Sequence, residues 1–357
     1  MQLLATVSAA VLVGVGTPAY AGDTDRPIAW LEIGWHYEAS SGGEELFEPS
    51  FAPALPPDGF VLPGQIEDVH PWTYGVEGKL SFQPKSSDWI FSAAVRYGRA
   101  QGHKALHQQT APAPITGRYV GPYDLGTGTP IPKFSETIVK NSESHAILDF
   151  KVGKDVGLGL FGRSATSILS AGVRFSEMKF GSHSEIKARP DVAFPQNGKY
   201  PKYHHDYFAT NDQNSSFKGW GPTVTWDATE LLAGNAEEGA VKLDWSINAG
   251  VLFGKQRTSG YHQTKTHYEY AYLGGFIGDF TGYHDGGKIT HSRSHTVTVP
   301  NLGGSLGLSY NWTNAKISLG YRADMFFNAI DGGIDTRKTY NKGFYGPYAA
   351  ISIGLGG

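Results

Sequence analysis

Trp72-Thr73-Tyr74-Gly75-Val76-Glu77-Gly78-Lys79-Leu80-Ser81-Phe82 alternates without a break, with Trp72, Tyr74, Val76, Gly78, Leu80 and Phe82 interleaved by Thr73, Gly75, Glu77, Lys79 and Ser81. Successive side chains of a strand point to opposite faces, so one face of this segment is apolar and the other carries charge. In a water-soluble sandwich the apolar face turns inward. A transmembrane barrel inverts this: lipid takes the apolar face and a polar lumen takes the other.

Working outward, nine more segments of about a dozen residues repeat the alternation. Near Ile28 to Ala39, Leu31, Ile33, Trp35 and Tyr37 oppose Glu32, Gly34, His36 and Glu38. After the turn Pro84-Lys85-Ser86-Ser87-Asp88, Trp89, Phe91, Ala93, Val95 and Tyr97 oppose Ser92, Ala94 and Arg96. The fourth and fifth segments set Ala146, Leu148, Phe150 and Val152 against Asp149 and Lys151, and Leu169, Ala171, Val173 and Phe175 against Ser170, Gly172 and Arg174. The sixth sets Trp220, Val224, Trp226 and Ala228 against Thr223, Thr225 and Asp227, and the seventh Leu243, Trp245, Ile247, Ala249, Val251 and Phe253 against Lys242, Asp244, Ser246, Asn248 and Gly250. The eighth ends Leu306, Leu308, Tyr310 and contains Pro300, where a bulge is expected. The ninth sets Ile317, Leu319, Tyr321, Ala323 and Met325 against Lys316, Ser318, Gly320, Arg322 and Asp324, and the tenth carries Ile351, Ile353 and Leu355.

Connectors between these segments alternate short and long, the long ones spanning roughly fifteen to forty residues; this is the parity of an outer-membrane barrel with periplasmic turns and extracellular loops. A Greek-key sandwich has no reason to keep it through ten strands. The expected fold is therefore an all-β, antiparallel, up-and-down transmembrane barrel of about ten strands, with twelve if strands are added around Tyr268 to Phe280.

Residues 1–21 read as a secretory signal peptide: an apolar run from Leu3 to Gly16 precedes Ala19-Tyr20-Ala21, a small-x-small cleavage site that leaves Gly22 first. Its n-region, Met1-Gln2, lacks the usual Lys or Arg. Residues 22–357 then form one barrel domain. Past Gly22 no stretch reaches the 18 or so consecutive apolar residues that a spanning helix needs. Cysteine is absent, which removes disulfide scaffolds and thiolate chemistry and suits passage through an oxidising periplasm. A net charge of -3 suggests neither a nucleic-acid partner nor a polybasic lipid contact. All eight tryptophans fall in the expected strands or tight turns, where aromatic side chains meet lipid headgroups.

Ser92-Ala93-Ala94-Val95-Arg96-Tyr97, Ser170-Ala171-Gly172-Val173-Arg174-Phe175 and Ser318-Leu319-Gly320-Tyr321-Arg322 each place a small residue and then Arg on the expected inner face. The expected lumen lining is Glu32, Glu77, Lys79, Arg96, Asp149, Lys151, Arg174, Asp227, Lys242, Asp244, Lys316, Arg322 and Asp324, with Glu38 beside them. The signs balance. Such a lining reads first as a salt-bridge network filling the barrel and second as a pore wall. Ten strands about 4.8 Å apart and tilted near 40° give a backbone radius of about 10 Å, so any path for ions or small solutes is narrow and weakly selective.

Asp149-Phe150-Lys151-Val152-Gly153-Lys154-Asp155, Ser170-Ala171-Gly172-Val173-Arg174-Phe175 and Phe217-Lys218-Gly219-Trp220-Gly221-Pro222 resemble segments of the Legionella-type major outer membrane protein family. The resemblance implies a pore-forming barrel in the outer membrane of a Gram-negative bacterium, in contact with outer-membrane lipid and inserted by the assembly machinery. Barrels of this kind often end on an aromatic residue read by that machinery, whereas this chain ends Leu355-Gly356-Gly357.

The connectors carry most of the histidines. His204-His205-Asp206 and His284-Asp285 have metal-ligand chemistry but no diagnostic spacing, and His103 and His107 converge only on a helix, so no metal or cofactor is expected. A rim protease would have to assemble its Asp and His from Asp206, Asp212, His284 and Asp285, and no Gly-x-Ser-x-Gly elbow or phosphate loop is present, so no enzyme is expected. Long stretches such as Phe47 to Gln65 and Tyr119 to Phe134 offer the alternative of an adhesin-like binding surface. Asn311-Trp312-Thr313 fits a glycosylation sequon but reads as a turn.

Overall fold

The computed structural model describes residues 29–42, 72–84, 87–109, 134–156, 166–193, 202–235, 239–271, 279–333 and 338–355. The signal-peptide stretch and the connector stretches Phe47–Gln65 and 119–133 lie outside them, as do the side chains of His204, His205, His284 and Asp285. Among these described residues are eleven strands: β1 (Ala29–Ser41), β2 (Thr73–Phe82), β3 (Trp89–Gln109), β4 (Phe134–Asp155), β5 (Thr166–Ala193), β6 (Lys202–Asn235), β7 (Gly239–Ala271), β8 (Asp279–Asp285), β9 (Ile289–Asn311), β10 (Ala315–Asp331) and β11 (Thr339–Leu355). Each pairs antiparallel with its neighbours, and the β6–β7 and β1–β11 pairings close the ring. β8 pairs with the far end of β7, over Lys265–Ala271, on the edge that β9 occupies from Ala240 to His262, and so continues the β9 stave instead of forming one of its own. Strand number in the closed barrel is therefore ten, and the segment around Tyr268 to Phe280 lengthens an existing hairpin instead of adding two staves.

Lipid-facing positions follow the alternation read from the sequence. Leu319 is 62% exposed, Leu306 57% and Trp220 57%, and Ile247, Phe253 and Ile353 are each about half exposed, while Ser318, Thr223 and Ser352 between such residues are buried. A barrel in water would not leave these side chains uncovered; in hydrocarbon they are solvated. Tyr37 stacks on Trp72 at 4.5 Å and Phe175 on Trp220 at 6.3 Å, marking one edge of the apolar band. Tyr310 packs edge-on against Trp312 at the other, in the turn where Trp312 N donates to Ala315 O at 2.8 Å.

The strands do not stop where the apolar band stops. β6 has 34 residues and β7 33, about three times the length that crosses a bilayer. Between β5 and β6 only residues 194–201 remain, where some forty connector residues were expected. Past the aromatic edge the period of two continues with its sense reversed. On β5, Glu177, Lys179, His183 and Glu185 take the outer face and Met178, Phe180, Ile186 and Ala188 turn inward and are buried. Once water replaces lipid outside, the apolar residues gain by facing in. Apolar-out alternation, which sets the expected strand ends, disappears at that boundary although the ladder runs on.

The bulge expected at Pro300 is absent: Pro300 pairs with Val251 in unbroken register. The ladder from β9 to β10 stops at Asn301–Phe326, one residue before the proline, so its missing N–H interrupts nothing on that side. Register shifts occur instead between Phe326 and Ile330, between Ala188 and Asp191, and between Leu231 and Ala233. Inside the band, Gly172 packs so closely on β4 that an added Cβ would overlap the Phe150 carbonyl oxygen. Gly172→Ala is expected to cost about 1–3 kcal/mol through backbone displacement, read as a lower urea midpoint in lipid vesicles. An unchanged midpoint would show that the two strands separate freely.

Candidate functional site: the barrel interior

Inward-facing side chains form three levels. Toward the periplasmic end, Ser352 Oγ donates to Glu32 Oε2 at 2.7 Å, Lys316 Nζ meets Asp244 Oδ2 at 2.6 Å, and Thr229 Oγ1 donates to Asp244 Oδ1 at 2.9 Å. Lys79, Asp227 and Lys242 are half-buried in the same region.

The middle level holds the three arginines of the internal repeat. Arg174 grips its cross-strand neighbour Asp149 with both prongs, Nε to Oδ1 at 2.7 Å and Nη2 to Oδ2 at 2.8 Å, while Nη1 donates to Asn248 Oδ1 at 2.8 Å and to Asn301. Lys151 adds a contact to Asp149 at 3.2 Å. Arg96 reaches from β3 to Asp324 on β10 at 2.6 Å, and Arg322 reaches from β10 to Glu77 on β2, lying 4.8 Å from the Tyr348 ring. The partners of these last two pairs stand several strands apart in the ring, so both cross the lumen. Planar guanidinium groups suit this because each can hold a carboxylate and further acceptors at once.

The third level, toward the extracellular side, was not legible from the ionisable residues. Met178, Phe217, Leu252, Val299, Phe326 and Phe344 are fully buried there and form one apolar cluster with Ile147, Phe180, Ala329 and Ile330. Beside it Lys342 contacts Glu143 Oε2 at 3.0 Å, Ser40 Oγ donates to the same oxygen at 2.7 Å, and the ammonium lies 4.6 Å from the Phe180 ring. His36, Glu38 and His145 are buried near this pair. The expected lining thus lacked an apolar layer and its embedded Lys–Glu pair. Parity held the signal: Phe217 has the parity of Thr223, Met178 that of Arg174, and Phe326 that of Asp324.

On the outer face of the extracellular wall, His183 Nδ1 lies 2.7 Å from Asp212 and Nε2 3.1 Å from Glu185. Asp206 instead lies 3.8 Å from His267. Asp206 and Asp212 share one strand face six residues apart, about 20 Å along it, so they do not converge on one reacting centre. Partial burial lowers the His183 pKa, but the hydrogen bonds and charges of Asp212 and Glu185 outweigh it and leave the imidazole above its ordinary 6.5. A raised folded-state value stabilises below the unfolded value and is lost as pH rises through the folded one. His183→Gln is therefore expected to lower the unfolding midpoint at a pH of about 5.5, with the gap closing by about 8.5. A gap independent of pH would refute this pairing.

Among solved structures, the transport unit of the autotransporter AIDA-I from Escherichia coli aligns at 7% identity and a TM-score of 0.24, covering 92% of this chain and 90% of that one. The translocator domain of autotransporter NalP from Neisseria meningitidis aligns at 9% and 0.21, covering 93% and 90%. The P. putida toluene transporter TodX aligns at 9% and 0.17, covering 92% and 90%. No curated protein matches. A family model described as Legionella pneumophila major outer membrane protein precursor matches residues 131–354, from β4 to the end of β11 and well over half of the chain. With that match and a closed ten-stranded ring, the chain belongs to this family of major outer membrane proteins and is an outer-membrane β-barrel of a Gram-negative bacterium.

Proposed function

We propose that the barrel conducts ions or small solutes along a narrow path controlled by two stacked constrictions, the arginine–carboxylate level and the apolar level above it. The observation that carries this reading is the set of ion pairs spanning the lumen, Arg96–Asp324 and Arg322–Glu77. A barrel filled for stability alone gains more from apolar packing than from buried charge, whereas a conductor needs fixed charge along its path. An apolar cluster above that level, with Phe180, Phe217, Phe326 and Phe344 in it, suits closure by dewetting. Export through a signal peptide cleaved after Ala21, and insertion by the outer-membrane assembly machinery, belong to the same proposal. No catalytic role is included.

Planar-bilayer recording of the refolded protein tests it: discrete steps are expected, and silence at every voltage removes the reading. Phe217→Ser is expected to raise open time by wetting the upper constriction. Replacing Arg96, Arg174 and Arg322 together by Ala is expected to change conductance and selectivity; if both stay the same, the path lies elsewhere.

A second reading, surface binding, is favoured by a polar groove of about 470 Å³ on the outer face of the extracellular wall, lined by Gln101, His103, Lys140, Ser142, His183 and Asp212 among others. It predicts function that survives loss of conductance.

A further inference from the structure

We propose that His36, Glu38 and His145 form a binding site for a divalent transition-metal ion of the Zn²⁺ class, inside the barrel at the level of the extracellular aromatic edge. The sequence supplied no spacing for such a site, because the ring assembles it. By register His36 on β1 faces Gly75 on β2, Gly75 faces Gly98 on β3, and Gly98 faces His145 on β4. Three strand steps separate the two histidine backbones by about 14 Å. Their rings lean toward each other over the two glycines until the centroids are 5.9 Å apart. The glycines make that possible, since a Cβ at Gly75 would overlap His36 Nε2 and one at Gly98 would come within 2.9 Å of His145 Nε2.

Glu38 lies on the same strand face as His36, two residues on. Its Oε2 is 3.4 Å from His145 Nε2 and 3.7 Å from His36 Nε2, and the three donor atoms all fall within 4.8 Å of one another. Metal bonds of about 2.0–2.1 Å in tetrahedral geometry set ligand atoms roughly 3.4 Å apart, so modest contraction closes the site. All three side chains are at most 1% exposed. Both nitrogens of each imidazole and both oxygens of Glu38 are buried without a hydrogen-bond partner, which is expensive unless something else satisfies them.

Charge points the same way. Lys342 is committed to Glu143, Arg322 to Glu77, and Arg96 to Asp324 at 2.6 Å, leaving Glu38 only a 3.8 Å contact to that shared Arg96. Among the described residues this carboxylate has no cation of its own. Two neutral imidazole donors and one carboxylate are a donor set for Zn²⁺ and its neighbours, with a fourth position left for water. Phe344, 4.2 Å from His145, holds that ring from the opposite wall. A bound ion would tie β1 to β4 across the two strands between them. The site does not depend on conduction.

The test uses the full refolded chain in detergent micelles, stripped with a chelator and titrated with Zn²⁺ alone, then with Co²⁺ as a spectroscopic probe. One tight Zn²⁺ site is expected, with the visible absorption of tetrahedral Co²⁺. His36→Gln, Glu38→Gln and His145→Gln should each weaken it by more than the 10–100-fold that loss of an outer partner costs, while His291→Gln on an exposed stretch leaves it alone. Heat-modifiable gel mobility shows which variants fold. Unchanged Zn²⁺ affinity in any folded ligand variant overturns the proposal; if none folds, a wild-type Co²⁺ spectrum without tetrahedral bands does so.

Discussion

Arg174→Ala is expected to destabilise the folded barrel by about 3–5 kcal/mol, because it leaves a carboxylate buried without its partner. Asp149 has an exposure of 8% and takes two of its hydrogen bonds from this one guanidinium, while the side-chain oxygens of Asn248 and Asn301 accept from the same group. Removing it strands three acceptors from three different strands. Adding Asp149→Ala should restore part of the loss, since replacing both partners of a buried pair costs far less than removing one. Urea unfolding in lipid vesicles reads both variants. A double variant whose loss equals the sum of the two single losses would show that the pair is not coupled, and the middle level would lose its physical basis.

Leu319→Arg is the second large effect, at up to about 2–4 kcal/mol for an arginine on the lipid face of the apolar band. Leu319 is 62% exposed and sits among Leu306, Leu308 and Ile317 on the outer face of β9 and β10. Among the described residues its outward side is uncovered, so the penalty comes mainly from moving a guanidinium into hydrocarbon. The control is Thr210→Arg, which lies on the same outer face of the ring but in the extracellular wall, paired in register with Glu185. There water surrounds the new charge, and a change within about 0.5 kcal/mol is expected. If the two substitutions cost the same, the outer face of β10 is not in lipid.

This contrast between Leu319 and Thr210 separates what was legible from what was not. Trp72 to Phe82, Lys242 to Phe253 and Lys316 to Met325 announced their faces because lipid outside and charge inside give a strong period of two. Ring closure, ten staves and the arginine repeat followed from repetition and connector parity. Strand length did not follow. Beyond Phe175 and Trp220 the outer residues turn polar and apolar-out alternation ends, so some eighteen further residues of β5 and of β6 carry no lipid-facing stripe that marks them as strand. The apolar inner level of Met178, Phe217 and Phe326 is hidden for the same reason, although its parity is written in the sequence.

Local pattern settles a side chain's parity, since the pleat allows only two directions and neighbours alternate between them. It does not settle which parity is favoured as interior, because that depends on whether lipid or water lies outside at that height. Nor does it bring His36 to His145 or Arg96 to Asp324, which are more than a hundred residues apart in the chain and meet only once the strands pair and the sheet curves. The first contact exists because pairing and curvature bring β1 and β4 inner faces together, and the second because closure turns strand order and register into distances across a cylinder about 20 Å wide.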